Sequence, residues 1–115
     1  MNAMYKSFKY ATQGIKDALK SEPNLRFHFL ASLIVVSVAI YLKFNLEEFT
    51  ILTLTIFFVI TLELINTVVE KLVDMYSKEI SESARVIKDI SAGIVLIGAV
   101  GSIIIGLLLF LPKLI

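Results

Sequence analysis

Glu63, Asn66, Glu70 and Asp74 recur at steps of three and four residues in a stretch whose other members are mostly Leu, Ile and Val. On a helix of 3.6 residues per turn these four positions fall within an arc of about 80°. Three acids and an amide therefore share one face of an otherwise apolar helix. Each would cost about 2.5–3.5 kcal/mol at the centre of a bilayer, and less near its surface. A helix simply emerging into water accounts for Asp74, and less well for Glu70. It fits Glu63 poorly, because Leu64, Ile65, Val68, Val69, Leu72 and Val73 keep the rest of that helix dry. Carboxylates beside an amide oxygen form a hard, all-oxygen environment that suits Mg²⁺ better than zinc or copper. Magnesium keeps waters and shares its remaining ligands with substrate phosphates. The stripe thus points to nucleotide chemistry at a membrane surface.

Other polar residues sit near the same depth. Arg85, Lys88 and Asp89 precede Ser91-Ala92-Gly93. Those cations either contact phosphates or simply mark a cytoplasmic loop. Glu22 marks a break in the chain at the same depth, and taken alone reads more readily as a solvated helix-boundary residue than as part of a site. His28 is a candidate proton carrier, or an interfacial imidazole making an ordinary hydrogen bond. The chain has no Gly-rich phosphate loop, protein-kinase motif set or nucleophile elbow.

The elements that must carry these residues follow from composition. Of the 115 residues, 57% are hydrophobic and only 18% charged, too dry for a soluble domain of this size. Cysteine is absent, which excludes disulfides and thiolate metal sites. A net charge of +1 argues against a nucleic-acid partner. Three runs can be read as spans, for which about 20 helical residues are needed; the second and third meet that length outright, and the first does so only with its polar start at Arg26 and His28 included. The first run starts too far into the chain, and lacks the small-residue site, for a cleaved signal, so it is read as retained. Before it, Met4, Phe8, Ala11, Ile15 and Ala18 or Leu19 recur at helical spacing, with Lys6, Lys9, Lys16 and Lys20 between them. That pattern suits an amphipathic helix lying in the headgroup layer. Ser21-Glu22-Pro23-Asn24 ends it. The expected fold is all-α: a surface helix over about 2–20, then membrane helices over about 25–43, 48–74 and 84–111. Together they form a single integral-membrane domain.

Orientation follows from Lys and Arg. Lys6, Lys9, Lys16, Lys20, Arg26, Lys71, Lys78, Arg85 and Lys88 fall on one side, and only Lys43 and Lys113 on the other. By the positive-inside rule the N-terminus is cytoplasmic and the C-terminus outside.

Two segments carry a family likeness. The first is Glu63-Leu64-Ile65-Asn66-Thr67-Val68-Val69-Glu70 through Asp74, followed by Lys88-Asp89 and Ala92-Gly93 with Val95-Leu96. The second is Phe8-Lys9, Ala11 and Gly14-Ile15, followed by Glu22, Asn24, Arg26 and His28 at alternate positions. In both, the chain resembles the bacterial diacylglycerol kinase family, which includes the undecaprenol kinases. The likeness covers nearly the whole sequence. It implies a homotrimer in the bacterial inner membrane that transfers the γ-phosphate of ATP, with Mg²⁺, to the hydroxyl of a membrane lipid at the cytoplasmic interface. By position, Glu63 resembles the general base, and Glu22 and Glu70 the magnesium ligands. Lys88, Asp89, Asp74, Lys6 and Tyr10 match nucleotide-side positions. Asn66, Arg26 and His28 match residues that shape the site. His28 stands where diacylglycerol-preferring enzymes often carry a glutamate, which leans the acceptor towards undecaprenol rather than diacylglycerol.

Two other functions would use the same residues differently. A proton-coupled transporter would place its acid near mid-membrane and show a repeat, whereas these acids cluster at one interface. Polar glue between helices would also seat them, but such contacts average only about 0.6 kcal/mol. Three helices cannot enclose a site alone, so sites between subunits are expected, with Gly93, Gly98, Ser102 and Gly106 allowing close packing.

Overall fold

The computed structural model describes residues 2–76 and 81–115. Lys78, one of the cations counted above, lies outside the described residues. Among the described residues four helices follow one another: α1 Asn2–Ser21, α2 Pro23–Tyr41, α3 Leu46–Tyr76 and α4 Glu82–Leu114. The last three are long and apolar enough to cross a membrane. Much of their apolar surface faces outwards, including Leu54, Phe57, Ile97 and Leu108. A bilayer, rather than a protein core, is the solvent that suits such a surface.

The α1–α2 elbow is built by proline chemistry. Pro23 opens α2, where a missing N–H costs nothing, and Glu22 before it is held extended. Arg26 then reaches back, its guanidinium donating to the carbonyls of Leu19 at 2.7 Å and Lys20 at 3.0 Å. It thereby caps the C-terminal end of α1, where a cation also meets the negative end of the helix dipole. Arg26→Ala is expected to leave the three long helices folded and to speed amide hydrogen exchange around Leu19–Asn24. Unchanged protection there would show that the elbow does not depend on this cap.

The α2–α3 turn closes tightly at the opposite end. Phe44 N–H donates to Ala39 O and Lys43 N–H to Ile40 O, both at 3.1 Å. Lys43 occupies the left-handed region with φ 58°, so the end of α2 is a Schellman motif. Asn45 and Glu48 exchange backbone-to-side-chain bonds, each 2.9 Å, which is a capping box at the start of α3. Ala39, Phe44, Leu52 and Leu109 are buried together there, with Phe110 packed against them.

Helices α3 and α4 run antiparallel in a single register. Glu48 pairs with Lys113 at 3.0 Å near one end, and Asp74 with Lys88 at 2.6 Å near the other. Between them Gly98 lies against Leu62 so closely that an added Cβ would fall 2.5 Å from a Leu62 methyl carbon. Gly98 is therefore the glycine that lets the two helices meet. An added Cβ at Gly93 or Gly106 would meet nothing within 4 Å of this chain.

Candidate active site

The carboxylate face of α3 gathers its neighbours at the end away from the α2–α3 turn. Glu63 is only 3% exposed, a heavy desolvation for a carboxylate unless a partner offsets it. Its Oε2 lies 3.7 Å from His28 Nε2 on α2. Glu22 and Glu70 also stand close enough to act on it electrostatically. Thr67, one turn along, is buried too and donates back to Glu63 O at 3.1 Å. Ser91, near the start of α4, is a further buried polar residue.

Asn66 donates through Nδ2 to Glu70 Oε1 at 2.9 Å, as residues four apart on a helix can. This bond orients one Glu70 oxygen. The other half of the amide, Oδ1, is shut off from solvent and accepts no hydrogen bond. A buried acceptor without a partner is costly and calls for a donor or a cation. Glu22 is half-buried, and its side chain makes no capping bond to α2, so that carboxylate is not spent on the helix end. Among the described residues no three His, Asp or Glu side chains are gathered to hold a metal unaided. Glu22, Glu70 and the Asn66 oxygen are each hard oxygen donors, and Glu70 is tied to Asn66 by the bond above. Such donors fit an ion that draws its remaining ligands from phosphate and water.

The residues expected on the nucleotide side are spread more widely. Lys88 is engaged by Asp74. Arg85 bridges Glu82 and, at 2.7 Å, Asp89. Lys6 and Tyr10 are exposed on α1, which packs against α2. Arg26 spends its guanidinium on the end of α1 and so shapes the elbow that carries Glu22. Sequence reasoning named Lys88 and Asp74 separately and missed that they pair, since a contact across the α3–α4 loop has no local signature. The burial of Thr67 was readable from its position one turn after Glu63. That of Ser91 was not, because it depends on how α4 packs.

Residues 9–110 match the family model described as prokaryotic diacylglycerol kinase. The chain belongs to the prokaryotic diacylglycerol kinase family. An undecaprenol kinase from Bacillus subtilis is 39% identical over 114 residues, covering 99% of this chain and 93% of that one. A diacylglycerol kinase from Synechocystis is 36% identical over 109 residues, 94% of this chain but only 62% of its own length. A diacylglycerol kinase from Helicobacter pylori is 31% identical over 97 residues, covering 84% of this chain and 76% of that protein. Within the prokaryotic diacylglycerol kinase family, then, the relatives' names divide between two lipid alcohols.

Proposed function

We propose that this protein is an ATP-dependent lipid kinase that converts undecaprenol to undecaprenyl phosphate at the cytoplasmic face of the bacterial inner membrane. The observation that carries the reading is Glu63, a carboxylate 3% exposed on a membrane-length helix, with two further acids and an imidazole around it. Phosphoryl transfer needs mainly positioning and charge stabilisation, which this small set of groups can supply.

Glu63 takes the proton of the lipid hydroxyl as its oxygen bonds to the γ-phosphorus, and the bond to the β-phosphate oxygen breaks to release ADP. Glu22 and Glu70 would hold Mg²⁺ together with the nucleotide, Asn66 fixing Glu70 and offering its own oxygen. When bound, the ion neutralises charge on the phosphate oxygens. Lys88 meets those phosphates by exchanging its contact with Asp74, while Asp74, Asp89, Lys6 and Tyr10 border the nucleotide. Arg26 and His28 shape the acceptor side. The basic face of α1 rests on the cytoplasmic headgroups, the C-terminus lies outside, and three copies of the single domain assemble so that sites form between them.

Undecaprenol is favoured by the name of the Bacillus relative and by its near-complete coverage in both directions. Diacylglycerol is the second reading, favoured by the names of the Synechocystis and Helicobacter relatives. Reconstituted protein given MgATP is expected to phosphorylate undecaprenol faster than diacylglycerol in parallel assays. Preference for diacylglycerol would reverse the choice of acceptor, and transfer to neither would end the kinase reading.

A further inference from the structure

Among the described residues one ion pair joins α3 to α4 at the end that carries the acids, Lys88 Nζ to Asp74 Oδ1 at 2.6 Å. We propose that Asp74 is a displaceable counter-ion for Lys88: it competes with the phosphates of the nucleotide for that ammonium and thereby speeds the departure of ADP. This rests on the kinase reading above and deepens it.

Position supports the exchange. Asp74 lies one turn beyond Glu70 and eleven residues beyond Glu63, about 16 Å along α3. An ammonium held at that level stands away from the phosphorus transferred at Glu63 and faces the part of the nucleotide that leaves as ADP. Glu70 draws the same ammonium electrostatically. With no nucleotide bound, Lys88 therefore neutralises two acids four residues apart that would otherwise repel one another. ADP carries less negative charge than ATP, so Asp74 competes better against the product than against the substrate.

The contact itself is of a kind that exchanges. Its side chains are 39% and 65% exposed, so a phosphate can approach without unpacking either helix, and a pair that open holds weakly. An ammonium is a point charge on a flexible stem with three donors, able to turn from a carboxylate to a phosphate. Arg85, one turn earlier, is held differently. It bridges Glu82 and Asp89, both on its own helix, and a planar fork shared by two carboxylates lacks that freedom. Of the two cations, only Lys88 is tied across to α3.

The test follows ADP carrying a fluorescent ribose label, with Mg²⁺ present, as excess ATP displaces it from protein in lipid nanodiscs, timed by stopped flow. Asp74→Asn should slow release by about threefold to fivefold, the weight of an exposed ion pair, with the association rate nearly kept. Asp74→Glu keeps a carboxylate within reach of Lys88 and should restore the wild-type rate. Lys88→Gln has no ammonium to compete for, so adding Asp74→Asn to it should leave the release rate where Lys88→Gln alone puts it. Unchanged release in Asp74→Asn would overturn the proposal, and faster release would do so by making Asp74 a nucleotide contact. Equal slowing in the Lys88→Gln background would also overturn it, since Asp74 would then act by repulsion alone. Wild-type protein that shows the expected release rates but phosphorylates neither undecaprenol nor diacylglycerol would defeat the kinase reading and leave the exchange standing.

Discussion

Glu63→Gln should lower kcat for lipid phosphorylation by about 10²–10⁴-fold, the usual contribution of a positioned general base. The amide keeps the shape of the carboxyl group but cannot take the hydroxyl proton. Its KM for MgATP should stay near the wild-type value, because the proposed role puts Glu63 on the acceptor side. Stability should change little, since the substitution removes a carboxylate that is only 3% exposed and close to Glu22 and Glu70, while an amide can keep the contact with His28. Loss of turnover in a variant that melts close to wild type is the expected result. Full turnover would remove Glu63 as the base and require another acceptor for the proton.

Lys88→Gln should act on the other kinetic constant. A cation facing a triphosphate makes a charge-assisted contact that a neutral amide cannot replace, so KM for MgATP should rise by about tenfold or more. The side chains of Lys88 and Asp74 are 39% and 65% exposed, and an ion pair that open contributes little to stability. Fold and assembly should therefore survive. A rise in KM with kcat nearly kept separates Lys88 from Glu63; an unchanged KM would mean that Lys88 serves only to tie α3 to α4.

Much of this was legible in the sequence. Hydropathy gave three spans because lipid permits no irregular backbone, and Pro23 marked the elbow because its ring disfavours helix before it. The polar stripe was legible because helical periodicity is local: the Asn66–Glu70 hydrogen bond joins residues the 3.6 repeat had already placed together. Asn45 and Glu48, three residues apart, also carry the capping-box signal that starts α3. What could not be read were the contacts between helices. The approach of His28 to Glu63 depends on how α2 leans on α3, and the pairing of Lys88 with Asp74 depends on the register of α4. Hydrophobic pattern tells a helix which face to bury but not which residue it will meet.

The three contacts that fix α3 against α4 bear on the lipid around the enzyme. Sliding by one turn would undo Glu48–Lys113, Gly98–Leu62 and Asp74–Lys88 together, so the interval of about 22 Å from Glu48 to Glu63 acts as a rigid strut. A membrane thicker or thinner than that strut prefers must tilt it whole or deform around it. Either response would raise or lower Glu63 relative to the headgroup plane, so that under the proposed role acyl-chain length in the host membrane would become a setting on catalysis.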